Sequence, residues 1–314
     1  MKLKNGKKNS LISYRKIKEI IWAIFRSVII IGIAFMILYP VIMKISTAFK
    51  STNDMYDPTV IFLPKEPTFS NFKLVFTAVD YPRTLISTVG ITSLVSFLQV
   101  VSCTLVAYGL ARFNFPGKNL IFTCVIITLV IPPQTILLPL YLRFKFFNPL
   151  QIFTFGGTMS GLSLIDTLWP FVLLSSGALA FKNGLYIYLL RQHFINMPKS
   201  LVEAAYVDGC GRFGTFWRIM LKGATPMIIT VFLFSFVWQW NDYYYTAVLA
   251  PDLPVMGNVI INLNFSSLGS SVSNLLSSTS NAPKFLLHIA PLVILYAFTQ
   301  RFFTESIEKS GIVG

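Results

Sequence analysis

The chain has 314 residues, of which 54% are hydrophobic and only 12% are charged. Because a soluble domain usually carries about 25% charged residues, this composition excludes an ordinary soluble protein and indicates an integral membrane protein. The net charge of +14 does not indicate a nucleic-acid-binding protein, because the Lys and Arg residues follow a topological pattern along the chain and form no cluster on a soluble module.

The N-terminal part predicts a first spanning helix. Residues 1–26 carry eight Lys or Arg against a single Glu, and the apolar run 27–43 follows. A basic flank before an apolar run predicts a membrane-spanning helix that starts in the cytoplasm. Ser46–Ala48 weakly resembles a signal-peptidase site, so a cleaved signal peptide is the alternative, which the long basic segment disfavours. Residues 44–82 are polar and punctuated by prolines, which predicts an ordered external loop of turns.

Three further apolar runs predict the second, third and fourth spanning helices. The second covers residues 85–110, and a polar turn separates it from the third, at 120–142. Two consecutive prolines within Ile131–Gln134 remove helix hydrogen bonds and should kink the third helix or end it early. A second external loop, 143–165, leads to the fourth predicted span at 167–190.

The last two predicted spans enclose a long external loop. The fifth covers residues 226–249 and the sixth covers 285–302. Between them, residues 250–283 form the loop, and its part from 269 to 281 is rich in Ser and Asn, which predicts a mobile segment. The predicted fold class is therefore all-α, a polytopic membrane protein with six transmembrane helices.

The distribution of basic residues predicts which side each segment occupies. With six spans, the segments on the side of the N-terminus hold seventeen of the 26 Lys and Arg residues. Orientation follows Lys and Arg in short loops, not net charge. Both termini and the polar segment between the fourth and fifth spans are therefore predicted to be cytoplasmic.

That polar segment, Ser200–Pro226, is the longest polar interruption in the second half of the chain. Ser200 is followed three residues later by Glu203, which is the pattern of a capping box and predicts a helix that begins at Leu201. Three glycines should break this helix, and a second short amphipathic helix is predicted at 213–222. Such an element is too polar to span a bilayer and too short to be a domain, which favours a docking surface.

Two charged residues lie inside predicted spans and away from their ends, where a charge costs about 2.5 to 3.5 kcal/mol on insertion scales. One is Asp242, which follows Trp240 and Asn241. A carboxylate and an amide suit sugar hydroxyls and an indole suits the apolar face of a sugar ring, so these residues are predicted to line or brace a translocation path. The alternative is that the aromatic residues here belong to the belt at the membrane interface.

The second charged residue is Lys182, which precedes Asn183 in the fourth predicted span. This pair could bind an anionic or hydroxylated substrate, or Lys182 could pair with a carboxylate of another protein. Gln99 in the second span is a weaker candidate, because one amide among apolar residues more often forms an interhelical hydrogen bond.

The motif at Glu203–Gly209, Glu-Ala-Ala followed by Asp-Gly, resembles the EAA signature of bacterial ATP-binding cassette importer permeases. Other stretches resemble the carbohydrate-uptake branch of that family; they are Leu190–Pro198, Ala107–Arg112 with Phe115–Gly117, Trp240–Asp242 and Gln300–Phe303. The resemblance covers nearly the whole chain and is greatest to the maltose (MalG-like) type. The chain departs from the family pattern at Cys210, at Lys222 and in the longer Ser-rich stretch 269–281.

This resemblance implies a transmembrane permease domain at 27–306 with its coupling loop at about 198–222, between a cytoplasmic segment 1–26 and a cytoplasmic tail 307–314. The residues implied in ATPase coupling through a cytoplasmic EAA helix are Ser200, Glu203, Ala204, Ala205, Asp208 and Gly209. The alternative is that Glu203 is only a helix cap and the alanines are only helix formers.

The resemblance also implies the partners. They are a second permease subunit, two cytoplasmic cassette ATPases and an extracellular substrate-binding protein, in the bacterial cell membrane among its lipids. The sequence contains no GxxxxGK[ST] phosphate loop, so ATP and Mg are expected on the ATPase subunits and no cofactor on this chain. Three cysteines without CxxC spacing and two separate histidines predict no metal site.

Two other function classes compete with an importer permease. A secondary transporter would carry coupling-ion carboxylates near the membrane centre and usually an internal repeat, and neither is evident. A membrane enzyme is suggested only by Asp208–Arg212, which faintly resembles a metal-binding motif of phosphatidyl-alcohol transferases, but the second half of that motif is missing.

The sequence does not name the sugar, which could be a maltodextrin, another oligosaccharide, a uronide or glycerol phosphate; Lys182 slightly favours an anionic or large glycan.

Overall fold

The structure is a computed structural model that describes residues 3–148, 161–263 and 270–311. In these three ranges the chain forms fifteen α-helices and one π-helical turn and no β-strand, with one isolated bridge between Phe147 and Leu162. The predicted all-α fold is confirmed. The middle of the second predicted external loop lies outside the described residues.

The backbone contacts divide the chain into two compact units, of which the first comprises Met1–Phe76 and Asn264–Leu287. Its longest helix, α1, runs over Leu3–Ala48 and contains the first predicted span. The helix continues through the basic N-terminal segment, so the expected boundary at residue 26 falls inside it. The described apolar side chains of α1 are mostly exposed, as expected for a helix that meets lipid or another protein.

The polar loop after α1 is ordered, as predicted, and contains two short helices, α2 at Thr52–Tyr56 and α3 at Ser70–Ala78. Lys50 is only 8% exposed, and its Nζ donates to the carbonyls of Val60 at 2.7 Å and Ile61 at 3.2 Å. Asn71 donates from its side-chain amide to the carbonyl of Lys50 at 2.8 Å. These bonds give the loop a fixed shape without sheet structure.

The last helix, α15, covers Ser270–Gly311 and is longer than predicted. The prediction that residues 269–281 form a mobile loop is wrong for the described part from 270 onward, which is helical. Ser and Asn are poor helix formers, but propensity is a weak prior, and Ser270–Asn281 contains no Gly or Pro to stop a helix. The sixth predicted span lies within α15.

The second unit comprises Thr77–Leu263 and His288–Gly314. Its central helix is α4, Tyr81–Arg112, which matches the second predicted span. The third predicted span is broken at its two prolines into α5, Lys118–Val130, and α6, Pro133–Lys145, which meet at an angle of 105°. The predicted effect of the prolines is therefore confirmed.

The fourth and fifth predicted spans are not continuous helices. The fourth consists of α7, Trp169–Ser176, and α8, Asn183–Asn196. The connection between them contains Gly177 and two residues with a left-handed backbone, Ala178 and Lys182, which no α-helix accommodates.

The fifth predicted span comprises α12, Thr225–Trp240, and α13, Tyr244–Leu249, because the chain turns at Asn241–Tyr243. One more short helix, α14, covers Met256–Asn262. By length and composition, three helices in the described part of the chain can cross a membrane, or up to five if each of two bent pairs is one span.

The core of the second unit surrounds α4, which packs against α7, α8 and α12. The buried positions of α4 include many Ser and Thr residues, which allow close helix approach. Ser102 on α4 donates to the carbonyl of Ser175 on α7 at 2.6 Å. Ser235 on α12 donates to the side-chain oxygen of Gln99, which confirms the expected interhelical hydrogen bond of that amide.

Candidate functional site

The polar segment between α8 and α12 begins with helix α9, Lys199–Val207. The predicted capping box is wrong: Pro198 is the N-cap residue, and no side chain caps this helix end. Pro198 has an extended backbone with φ −56° and ψ 133°, and the ring of a proline is compatible with the position just before a helix. Ser200 therefore lies in the first turn, and both it and Glu203 are exposed.

The end of α9 is a Schellman motif, in which one residue in the left-handed conformation closes the helix. Gly209 has φ +78°. The N–H of Cys210 donates to the carbonyl of Ala205 at 2.9 Å, and the N–H of Gly209 donates to Tyr206 at 3.1 Å. The turn predicted for Gly209 is therefore present, and its hydrogen bonds make α9 a short, closed element.

The second short helix is also present, with an irregular middle. It comprises α10, Arg212–Thr215, a π-helical turn, Phe216–Met220, and α11, Leu221–Gly223. It meets α12 at an angle of 71°. We call residues 199–223 the knob.

The knob is anchored by an aromatic cluster at the end of α4. The ring of Phe216 lies 4.6 Å from that of Tyr108, and Phe194 of α8 lies 5.4 Å from the same tyrosine. Phe216 is 5% exposed and Met220 is fully buried. These aromatic contacts pack the knob directly against α4 and α8.

The outer surface of the knob is apolar and charged at the same time. Its large exposed apolar side chains, 45% to 87% accessible, are Leu201, Tyr206, Val207, Phe213 and Trp217. Exposed charged residues lie among them, including Glu203, Asp208 and Arg212. A surface within the hydrocarbon of a membrane would lack these charges, whereas exposed apolar side chains among charges are typical of surfaces that bind another protein or the membrane interface. Ala204 belongs to this surface, whereas Ala205 is 1% exposed and packs inward.

The second candidate site is a cavity of about 840 Å³ within the second unit. Residues of α4, the break between α5 and α6, the connection between α7 and α8, and the end of α12 line it. Three chain breaks thus meet at one cavity. A volume of this size suits a small-molecule ligand, and breaks in spanning helices are found where the backbone lines a cavity.

Lys182 lies in the wall of this cavity and occupies the N-cap position of α8 with φ +70°. Its Nζ lies 4.3 Å from the ring centre of Trp238 and 4.6 Å from that of Phe181. Within the described ranges it has no ion pair or hydrogen bond to a side chain. Cation–π contact therefore holds this ammonium group without neutralising it.

Asp242 also lines the cavity, and its carboxylate stabilises the start of α13. One oxygen accepts from the N–H of Tyr245 at 3.1 Å, and the other accepts from the hydroxyl of Thr246 at 2.9 Å. Asn241 lines the cavity as well, while its amide nitrogen donates to the carbonyl of Val237 at 2.8 Å. Both residues therefore line the cavity and also form hydrogen bonds that stabilise the helix ends in its wall.

Trp240 is not among the described residues that line the large cavity. It is 2% exposed, and its Nε1 donates to the carbonyl of His288 at 3.2 Å. The indole in the cavity wall belongs to Trp238, which no sequence pattern singled out. Two residues two positions apart on a helix point about 200° away from each other, so only one of the two indoles can line the same cavity.

Asn183 is 1% exposed and lies behind the cavity wall; neither atom of its side-chain amide has a hydrogen-bond partner in the described part of the chain. Lys182, Asn241 and Asp242 are thus brought together at the cavity, whereas Asn183 and Trp240 are not. Within the described ranges, no three His, Cys, Asp or Glu side chains are grouped so that they could hold a metal ion.

Comparison with known proteins gives one family. A family model described as "Binding-protein-dependent transport system inner membrane component" matches residues 103–304. The chain is 27% identical over 290 residues to the arabinooligosaccharides transport system permease protein AraQ of Halalkalibacterium halodurans, covering 90% of this chain and 93% of that protein. It is 27% identical over 276 residues to the melibiose/raffinose/stachyose import permease protein MelC of Bacillus subtilis, covering 88% and 91%.

A solved structure has a similar fold. It is described as a bacterial ABC transporter involved in the import of the acidic polysaccharide alginate, and one of its chains superposes with a TM-score of 0.72 at 20% identity. The match covers 91% of this chain and 98% of that chain.

Proposed function

We propose, from the premise that this chain belongs to the family of binding-protein-dependent transport system inner membrane components, that it is a permease subunit of an ATP-binding cassette sugar importer. The relatives are sugar transport permeases, and the EAA stretch lies on the knob. The observation that carries the proposal is the knob itself, which is anchored to α4 and has an exposed apolar surface among charges.

In this proposal the knob is the part of the chain that the ATPase moves during its cycle. A cytoplasmic cassette ATPase binds its exposed surface, where Glu203 and Asp208 offer charge and Ala204 permits close approach. Ser200 lies beside them in the first turn of α9, and Gly209 fixes the turn. Ala205 acts from behind by packing α9 against the rest of the second unit, because its side chain is buried.

Six membrane crossings follow if each broken pair counts as one. In this proposal the three continuous helices and the bent pair α5–α6 account for four crossings, and the broken pairs α7–α8 and α12–α13 account for the other two. The excess of Lys and Arg on one side supports a cytoplasmic location for both termini and for the knob.

The complete importer in this proposal contains a second permease, two cassette ATPases and an extracellular binding protein that delivers the sugar. The chain carries no phosphate loop, so the ATPases bind ATP and Mg. An oligosaccharide is the substrate class that the names of the relatives support. The cavity beside Lys182, Asn241 and Asp242 forms this chain's share of the translocation path.

Co-purification of the tagged chain from its native membrane tests the proposal. Val207 on the knob is 87% exposed, and Leu63 in the loop after α1 is 81% exposed, so Val207→Asp and Leu63→Asp change comparable surface positions on different elements. We expect a cassette ATPase to co-purify with the wild type and with Leu63→Asp but not with Val207→Asp. Equal recovery of the ATPase with Val207→Asp would contradict docking on the knob.

The tests also separate the importer from its rivals. ATPase activity of the isolated chain, or uptake by the isolated chain driven by an ion gradient, would contradict the proposed division of labour. Uptake of a sugar into vesicles that depends on ATP and on the cassette subunit is the expected result.

A further inference from the structure

Lys182 is a cation for which the described part of the chain supplies no side-chain counter-ion. Its backbone has φ +70°, a conformation that is unfavourable for a residue with a side chain and that persists only where the surroundings impose it. Two aromatic rings, those of Phe181 and Trp238, hold its Nζ at the cavity wall. A strained backbone that holds a charged side chain at the wall of a cavity is more typical of a binding site than of a packing site.

The acidic side chain on the same cavity, Asp242, forms no ion pair with Lys182. Both oxygens of Asp242 accept hydrogen bonds at the start of α13, from Tyr245 and Thr246. Its negative charge nonetheless limits the ligand. Asp242 repels any anion, but it repels a phosphate monoester, which carries nearly two negative charges, more strongly than a carboxylate, whose single charge one ammonium can neutralise.

Two buried hydroxyls form a second, independent feature of the same cavity. Ser175 is 0% exposed and Tyr245 is 8% exposed, and both line the cavity. In the described part of the chain neither Ser175 Oγ nor the Tyr245 hydroxyl has a hydrogen-bond partner. A buried polar group without a partner costs about 1 to 3 kcal/mol, and a hydroxylated ligand that displaces the atoms now covering these two oxygens would supply the missing bonds.

The rest of the lining suits a sugar ring. Trp238, Tyr243 and Tyr244 contribute aromatic side chains to the wall, and aromatic faces pack against the apolar face of a pyranose. An ammonium group, free hydroxyls and aromatic rings therefore meet in one cavity of about 840 Å³.

We propose that this cavity binds a carbohydrate that carries a carboxylate, such as a uronic acid unit, with Lys182 pairing with the carboxylate and Ser175 and Tyr245 bonding to ring hydroxyls. The inference rests on the proposed importer function and adds the substrate class. It makes Lys182 the residue that selects acidic over neutral sugars.

Direct binding to the importer, purified from its native membrane through a tag on this chain, tests this assignment. The probes are trisaccharides of galacturonate, glucuronate and mannuronate, each compared with its neutral hexose counterpart by isothermal titration. Lys182→Met removes the charge at similar length, and Lys182→Arg keeps it. Lys145→Met is the matched control, because the Lys145 ammonium also lies near two aromatic rings, at 5.5 Å and 5.9 Å, but does not line the cavity.

We expect the wild type to bind at least one acidic trisaccharide ten times or more tighter than its neutral counterpart. Lys182→Met should lose this preference while its affinity for the neutral sugar and its thermal midpoint stay unchanged, and Lys182→Arg and Lys145→Met should keep it. The assignment is overturned if the wild type shows no acidic preference, binds none of the probes, or keeps its preference in Lys182→Met. In those cases ATP-dependent uptake of a neutral sugar would leave the importer function standing, whereas failure of a cassette ATPase to co-purify would refute that function separately.

Discussion

Two phenylalanines three residues apart in the knob have different expected roles: Phe216 anchors the knob to α4, and Phe213 lies on its docking surface. Phe216 is 5% exposed and lies 4.6 Å from the ring of Tyr108, whereas Phe213 is 79% exposed. Removing a buried phenylalanine costs about 3 to 5 kcal/mol in soluble cores. We expect Phe216→Ala to lower the free energy of unfolding by about 3 kcal/mol, the low end of that range. Transfer of an apolar side chain into the protein from lipid gains less than transfer from water, so a smaller loss is expected next to a membrane than in a soluble core.

Phe213→Ala is expected to have the opposite profile. Truncation of an exposed side chain usually changes stability by less than about 0.5 kcal/mol. As a central apolar contact of a docking surface, however, Phe213 should contribute about 1 to 2 kcal/mol to ATPase binding, so the affinity should fall by roughly 5- to 30-fold.

The assay measures both quantities on the same preparations. Thermal unfolding of the purified chain in detergent reports stability, and titration with the cassette ATPase reports docking. Phe216→Ala should lower the thermal midpoint, and Phe213→Ala should leave the midpoint unchanged but weaken ATPase binding. Wild-type ATPase binding by Phe213→Ala, or unfolding of Phe216→Ala at the wild-type temperature, would contradict the separate roles of the two side chains.

Three further outcomes follow from the geometry. Gly184→Ala should lower the thermal midpoint, because the new Cβ would lie 2.3 Å from a threonine oxygen and 2.9 Å from a backbone carbonyl of α5, whereas Gly90→Ala meets nothing within 4 Å and should be neutral or slightly stabilising. Gly209→Ala should cost about 1 to 2 kcal/mol from its φ of +78° alone, since no atom lies within 4 Å of the new Cβ, and should weaken ATPase binding. The hydrogen bond from Lys65 holds the pKa of Asp57 below its ordinary value, so this exposed pair should persist at pH 5 and be lost only in strong acid, as NMR titration of the carboxyl can show.

Each of these has a result that would contradict it. A wild-type midpoint for Gly184→Ala would mean that α5 and α8 do not approach closely. Normal ATPase affinity of Gly209→Ala would mean that the turn is not needed for docking. For the Asp57–Lys65 ion pair, the lowered pKa of Asp57 fixes the direction of the pH dependence. The pair contributes to stability above the pKa that the carboxyl has in the unfolded chain, and this contribution is lost as the pH falls through the pKa of the folded state. Loss of the pair when the pH is raised from 5 to 8 would contradict this pKa shift.

The amino-acid sequence by itself determined the class of the protein, the approximate place of its apolar segments and the position of the knob. These follow from local features: composition, runs of apolar residues, the glycine that ends α9 and the paired prolines that break the third span. Each acts within a few residues, so no tertiary information is needed to interpret it. The EAA stretch could be recognised for the same reason.

The tertiary structure decided how the breaks combine. Nothing local indicates that the connection at Lys182, the break at Pro133 and the turn at Asp242 line one cavity, because they come from different helices. The sequence also did not determine which face of α12 meets the cavity. In the structure Trp238 lines the cavity, whereas Trp240 is buried away from it. Helix starts such as that of α9 were misplaced because capping depends on backbone geometry, which Pro198 sets and Ser200 does not. Local chemistry specifies elements, whereas long-range packing specifies which side chains share a site.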